Sequence, residues 1–488
     1  MTDPFEGALE DALRRGIAGK RGGVVDATWL EPEKLSGPKW AYRNGDGKVG
    51  GLILGYRNGR GIGCSDDRHV LTVAGSRGGK GVSLLVPNLL MYDGSVLAID
   101  PKGELARISA RARRAKGQTV VVLDPFEESG IASGRFNPLA ELNPESRHVK
   151  DDAGQIADAL IVANERDPHW TDSARILIKA LILFTLTLEP EDRHLITVWQ
   201  LLTGTHASVA SVVERAECSP RAALFKLLQH CTEPFDGIIA GTGHHFAQMP
   251  EREMGSVFST TQTQLEFLDS AAMRAVLCES DVKLSELKTG KTTIYLCLPA
   301  TRMGTHARWL RVIINLALVA FERTKVRTEI PGLMVLDEFA VLGHMKSIET
   351  AAGLMAGFGV KLWIVLQDIP QLKRTYRDSW ETFVGNAGVS MFWSNTDKTT
   401  LDYVSEKLGQ TAVLVDRRSE TTMHQRLGGA SGEREELRVQ RLAAPNELEE
   451  ILERATRRIL VKVAGRAPVI LKRIVYYEDK PFAGLFDP

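Results

Sequence analysis

The chain has no charge of one sign to spare: 61 basic side chains face 61 acidic ones. No global field marks a nucleic-acid partner, so any such surface must be local. Cysteine is scarce. The five cysteines, Cys64, Cys218, Cys231, Cys278 and Cys297, are scattered, odd in number and never spaced as C-x-x-C. This excludes a zinc site built on paired cysteines and a disulfide framework, and it points to thiols in a reduced, cytosolic setting. Long apolar runs are missing as well. The longest, Ile176 to Leu188, has 13 residues and contains Lys179, whereas a membrane-spanning helix needs about 20. Met1 to Arg21 is charged and lacks the apolar centre of a signal peptide. No internal repeat or low-complexity tract is present. His244 and His245 are adjacent, so their rings point apart and make a poor chelate. No Ser-His-Asp or Cys-His arrangement can be assembled.

What is present begins with Val73-Ala74-Gly75-Ser76-Arg77-Gly78-Gly79-Lys80-Gly81-Val82. An apolar run precedes these residues and another follows, which reads as strand, glycine-rich loop, lysine, helix. A loop poor in side chains lets backbone N–H groups close around an anion. The helix N-terminus adds its dipole, and Lys80 adds a point charge for the β- and γ-phosphates. The fit to G-x-x-x-x-G-K-[ST] is imperfect at both ends. Ala74 stands at the first glycine, with Gly75 one step late, and Gly81 stands where a metal-binding hydroxyl belongs.

The chain's 488 residues allow two or more cores, at roughly 100–200 residues per domain. Apolar content of 43% with 25% charged residues suits a globular protein. Short β-branched runs predict strands at Val70–Ala74, Val96–Ile99, Val120–Leu123, Thr293–Leu298, Leu333–Leu336, Leu362–Leu366, Val389–Phe392 and Ile459–Val463. Many are apolar throughout, as strands buried on both faces of a parallel sheet are. Helical periodicity lies between them, as at His306–Phe321 and Asp397–Leu408. The fold class is therefore α/β with a mostly parallel sheet. From about Lys150 to Lys288 the periodicity is helical only, with helices at Asp172–Leu188 and Glu251–Phe267 and a polar break at Cys231–Gly243. An all-α domain inserted into the α/β domain is the expectation. Asp416–Arg441, with Gly428–Gly432 inside it, reads as a charged surface loop, and Lys480–Pro488 as a tail.

An ATP site needs acidic partners at strand ends. Leu333-Met334-Val335-Leu336-Asp337-Glu338 offers two carboxylates after four apolar residues. Asp337 would hold Mg²⁺ and Glu338 would polarise the attacking water. Leu362-Trp363-Ile364-Val365-Leu366-Gln367 ends in an amide able to sense the γ-phosphate. Val96–Ile99 leads into Asp100-Pro101-Lys102-Gly103-Glu104, which puts Asp100 and Lys102 at the ligand-binding ends of parallel strands. Each pattern also has a plainer reading as a solvated turn. The cluster Arg107, Arg111, Arg113, Arg114 and Lys116 reads as a solvated helix face. Trp170, Trp309, Trp363 and Trp393 lie among apolar neighbours and read as core. Pro87 should kink the helix after the loop.

Taken in order, these motifs resemble the type IV secretion coupling proteins, the conjugative DNA-transfer ATPases of the TraG/TraD kind. The segments that carry the resemblance are Gly75–Gly81, Ser95–Glu104, His169–Leu188 and Thr293–Leu316 with Thr305–Arg311. Leu336–Phe339, Ala356–Gly359 with Gln367–Asp368, and Val463–Pro468 complete it. A phosphate loop ending Lys-Gly is itself common in that family. The resemblance implies a RecA-like P-loop nucleotide-binding domain. Its parts would be an N-terminal segment at 1–60, nucleotide-binding portions at 61–149 and 290–488, and the all-α domain at 150–289. ATP and Mg²⁺ are the implied cofactors. Catalysis would fall to Lys80, Asp337, Glu338 and Gln367. Gly75, Ser76, Arg77, Gly78, Gly79, Lys80, Gly81, Val82, Asp100 and Lys102 would bind the nucleotide. The implied assembly is a homo-hexamer with ATP between subunits, monomeric when dilute. Implied partners are single-stranded DNA, relaxase or effector proteins, and secretion-channel components. The implied location is cytoplasmic, peripheral to the bacterial inner membrane, with membrane contact only through a partner or a further segment.

The chain departs from the family in two respects. Relatives usually begin with membrane-spanning helices. Some also carry an arginine finger between the acidic pair and the sensor glutamine, where this chain has only Lys346 and Lys361; Arg374 and Arg377 come next. Two other readings stay open: a nucleotide-switched substrate receptor with little turnover, and a soluble DNA-pumping ATPase outside secretion.

Overall fold

A computed structural model describes residues 27–31, 34–162, 168–418 and 433–487. Among these, thirteen strands follow in chain order: β1 (Leu52–Arg57), β2 (Arg60–Cys64), β3 (His69–Ala74), β4 (Val96–Asp100), β5 (Thr119–Leu123), β6 (Thr292–Cys297), β7 (Gly332–Leu336), β8 (Val360–Leu366), β9 (Ala387–Trp393), β10 (Gln410–Arg418), β11 (Glu433–Arg441), β12 (Arg458–Val463) and β13 (Val469–Lys472). The chain divides into two compact units. The first holds the residues up to Asn88 and Val365–Pro481; the second holds Leu89–Ile364 and the residues from Phe482.

In the first unit the strand order is β2-β1-β13-β12-β9-β3. β3 and β9 run parallel, with Val70 beside Val389 and Ala74 beside Trp393; the other ladders are antiparallel. In the second unit the order is β8-β7-β4-β6-β5, parallel throughout. β3, β4, β6 and β7 are buried along their whole length. Their unbroken apolar runs are what two covered faces require. The structure has a strand at each of the eight β-branched runs. It adds β1 and β2, whose glycines weaken the strand pattern, the short β13, and the pair β10–β11.

That pair corrects the reading of Asp416–Arg441 as a loop at its two ends, 416–418 and 433–441; residues 419–432 lie outside the described residues. β10 and β11 form an antiparallel ribbon from Gln410 beside Arg441 to Arg418 beside Glu433. The β-branched Thr411, Val413 and Val415 favour extended backbone; the charge from Asp416 onward and along β11 hid the rest of the ribbon. Gly428–Gly432 lie outside the described residues, as do Met1–Arg21. Between β5 and β6 the regular elements are helical, from Val149–Leu160 through Pro168–Thr185 to Glu286–Thr289. The break at Cys231–Gly243 is shorter than expected, because a helix already starts at Ile238 after the left-handed Gly237. No helix among the described residues is long and apolar enough to cross a membrane.

Two charged segments are more engaged than their composition suggests. Arg113 is fully buried. It donates to the carbonyls of Leu89, Tyr92 and Gly94 and to Thr293 Oγ1, so it pins the turn before β4 and is no solvated residue. The C-terminal tail packs onto the helix Glu104–Ala115. Phe482 is buried, Arg111 pairs with Asp487 at 2.5 Å, and the Asp487 N–H reaches the Ile108 carbonyl. After the phosphate loop, Gly81–Leu85 is a π-turn and Val86–Met91 an α-helix. Pro87 has no N–H to give the preceding turn, and the wider turn accommodates it. Trp309, Trp363 and Trp393 are buried. Trp170 is half-buried, edge-on to His169.

Candidate functional site

In the first unit β3 ends at Ala74 and the chain turns through Gly75–Lys80 into the helical segment. The loop folds on itself. The Gly75 N–H bonds the Trp393 carbonyl at 3.2 Å, the Gly78 N–H bonds the Gly75 carbonyl at 2.9 Å, and the Ser83 N–H bonds the Gly79 carbonyl at 2.9 Å. Arg77 and Gly79 take positive φ, 57° and 79°, which bends the loop tightly. Two glycines are sterically required. A Cβ on Gly75 would sit 1.8 Å from the Ser394 carbonyl oxygen, and one on Gly78 would sit 2.8 Å from the Gly75 carbonyl. Gly75 therefore does the work of the displaced first glycine, since β9 passes against it. Ser76 and Arg77 are exposed, and Lys80, Gly81 and Val82 are partly exposed at the start of the helical segment. A Cβ on Gly81 would meet nothing within 4 Å, so there is room there for the hydroxyl this sequence lacks.

Gln367 follows β8 and belongs to the same unit. Its carbonyl accepts from Asn395 Nδ2 at 3.0 Å, and its N–H bonds Gln371 Oε1 at 3.1 Å. Asp368 caps the next helix by accepting the Gln371 N–H at 2.8 Å. Thus Trp393, Ser394 and Asn395, at the end of β9, touch both the phosphate loop and Gln367, and the structure brings these two predicted elements onto one edge.

The predicted acidic residues occupy the carboxyl edge of the second unit. β4 and β7 are in register at Ala98 and Val335, so Asp100 and Asp337, each two residues further on, stand on neighbouring strands. Asp100 also lies beside Cys297. Asp337 Oδ1 accepts the Glu338 N–H at 3.0 Å, and Glu338 adopts φ 50°. Both side chains are partly exposed. Asp100 is buried, and its carboxylate accepts the Ala106 N–H at 2.8 Å at the start of the helix Glu104–Ala115. Burial pushes its pKa up to about 7; the Ala106 and Lys102 N–H groups oppose this, and the charges of Asp337 and Glu104 add to it. Burial and the Asp100 charge likewise push the Cys297 thiol well above its usual range. Lys102 is exposed on the turn that Asp100 holds.

Among the described residues no three or more His, Cys, Asp or Glu side chains are grouped to hold a metal ion. Mg²⁺ uses one or two carboxylates with water and phosphate oxygens. Asp337 suits that role, as the glycine cradle suits a phosphate chain. Two residues at the loop escaped the sequence reading. Trp393, read as core, donates Nε1–H to the Gly78 carbonyl at 2.7 Å. Arg473 donates to the same carbonyl from Nη1. A tryptophan at the C-terminal end of a predicted strand beside the loop was the available signal for the first; nothing in the local sequence marks the second.

The family described as type IV secretory system, conjugative DNA transfer, matches residues 13–485. The protein VirD4 of Rhizobium radiobacter is 27% identical over 435 residues, covering 86% of this chain and 58% of that relative. The conjugal transfer protein TraG of Agrobacterium fabrum is 25% identical over 416 residues, covering 84% of this chain and 60% of its own length. The chain thus spans less than two thirds of these relatives. Among solved structures, the bacterial conjugative coupling protein TrwBdeltaN70 superposes with a TM-score of 0.64 at 16% identity, over 93% of this chain and 95% of that one. TrwB with the non-hydrolysable ATP analogue ADPNP gives a TM-score of 0.64 at 14% identity, over 93% and 96%. The likeness shows a shared fold, the RecA-like P-loop architecture with a large, mostly parallel sheet.

Proposed function

Since the chain belongs to the type IV secretory system conjugative DNA-transfer family, we propose that it is an ATP-driven coupling subunit. It recruits single-stranded DNA, or a protein substrate, to a secretion channel and pumps it. The observation that carries this reading is the glycine loop closed against β9, with Ser394 leaving no space for a side chain at Gly75. Such a loop presents backbone N–H groups to an anion.

The assigned roles follow the chemistry. The loop from Gly75 to Val82 surrounds the phosphate chain, and Lys80 places its ammonium on the β- and γ-phosphates. Asp337 would supply a carboxylate for Mg²⁺, and the bound ion would neutralise charge developing on the phosphoryl oxygens. Glu338 orients the attacking water and takes its proton. Gln367 reports on the γ-phosphate through the β9 end, to which Asn395 ties it. Asp100 is buried and bonded to a helix start, so its part is to hold the turn that presents Lys102. TrwB has been solved with ADPNP and with ADP and Mg²⁺, which supports ATP and Mg²⁺ as the cofactors here. Six copies would share nucleotide at their interfaces, in a ring peripheral to the bacterial inner membrane, and relaxase or effector proteins would meet the helical region.

The test is steady-state ATP hydrolysis over a hundredfold range of protein concentration, with and without single-stranded DNA. The expected result is a rate per chain that rises with concentration and with DNA, with the DNA effect weakened by salt. A flat, DNA-independent rate would contradict the proposal and favour a nucleotide-switched receptor.

A further inference from the structure

The loop peptide between Gly78 and Gly79 is held from the protein side by two buried donors. Trp393 is wholly buried and Arg473 is 7% exposed. Trp393 Nε1 and Arg473 Nη1 both donate to the Gly78 carbonyl, and Arg473 Nη2 donates to the Arg454 carbonyl at 2.5 Å. Arg473 Nε is buried without a partner. Among the charges that act on the guanidinium, Arg454 and Arg457 add positive field and Glu453 opposes them. Burying a cation is costly unless it is hydrogen-bonded and its charge is matched.

From this geometry we infer that Arg473, together with Trp393, is a positioning residue of the phosphate loop. The inference rests on the reading that Gly75–Val82 takes phosphates. A peptide unit is planar and trans, so its C=O and N–H point in opposite directions. Two donors that draw the Gly78 carbonyl inward therefore turn the Gly79 N–H outward, toward the side where the loop would meet an anion. Charge assists in the same sense. The guanidinium polarises the peptide it holds, and a bound phosphate chain becomes the counter-charge that the protein withholds. The clamp acts through Gly78 and makes no contact with nucleotide itself.

The test is calorimetric titration of the whole chain with ADPNP and Mg²⁺, beside thermal melting. Arg473→Met should weaken binding about tenfold, as loss of a buried, charge-assisted hydrogen bond does. Trp393→Phe keeps the ring and loses the donor, so a severalfold loss is expected. Arg473→Lys keeps the charge and should recover part of the affinity. The double variant Arg473→Met with Trp393→Phe should be non-additive, because both donors serve one acceptor. Lower melting temperatures with unchanged ADPNP affinity in Trp393→Phe and Arg473→Met would overturn the inference and leave the clamp merely structural. If Arg473→Met does not fold, unchanged affinity in both Trp393→Phe and Arg473→Lys overturns it equally. Lys80→Ala separates the two claims. Wild-type affinity in that variant removes the phosphate-loop reading, whereas its loss alongside intact binding in the clamp variants removes only this inference.

Discussion

The strands of the two units end in opposite chemistry. In the first, β3 and β9 lead to glycine backbone and a lysine, with a buried arginine beneath, and Gln367 adds an amide. In the second, β5, β4 and β7 lead to Asp124, Asp100 and Asp337 with Glu338. Asp124 is spent internally, accepting the N–H groups of Glu128 and Ser129 and the Ser129 hydroxyl. Asp100 is spent on a helix start. Of these four carboxylates, those of Asp337 and Glu338 are partly exposed. One edge is thus suited to an anion, and the other offers oxygen ligands to a cation and a base to water.

Changing single residues on each edge should separate these duties. The largest effect is expected at Glu338. Glu338→Gln keeps size and loses the base, so turnover should fall by about a hundredfold or more, within the range of general-base catalysis. ADPNP affinity should hold. Single-turnover hydrolysis and a binding titration check the pair of outcomes; a loss of affinity equal to the loss of rate would place Glu338 in binding instead. Next comes Asp337→Asn, which should raise the Mg²⁺ concentration for half-maximal rate by about tenfold, since no hydroxyl at Gly81 shares the metal. An unchanged Mg²⁺ titration would mean the metal lies elsewhere.

A smaller effect concerns stability. The Asp100 pKa in the folded chain, about 7, exceeds the ordinary 3.8. Between those values the folded state holds more protons than the unfolded one, so this residue's contribution falls as pH rises through the window. Asp100→Asn removes that dependence. The variant should melt higher than the wild type at pH 8, and the difference should vanish near pH 4; a constant difference would contradict the assignment. The smallest effect is Gly81→Ser. The empty space around that position admits the hydroxyl, so Mg²⁺ dependence should shift at most severalfold toward tighter binding, with little change in melting.

The same contrast explains what could be read in advance. Strands such as β3, β4, β6 and β7 showed as apolar runs because both faces are covered. The acidic pair and the phosphate loop showed because strand ends and glycines are local signals. Arg113 and Arg473 did not show, because a charged residue reads as solvated until the carbonyls that receive it are known, and these come from distant segments. β10 and β11 were hidden by charge, and β1 and β2 by glycine. The imperfect start of the loop motif became intelligible only when Ser394 was found against Gly75.

The most direct test of the whole account is Lys80→Ala beside the wild type, measured for ATP hydrolysis, ADPNP binding and melting temperature. Lys80 is partly exposed at the end of the loop. Hydrolysis should be abolished and ADPNP binding lost, with melting unchanged. Hydrolysis near the wild-type rate in the folded variant would contradict it.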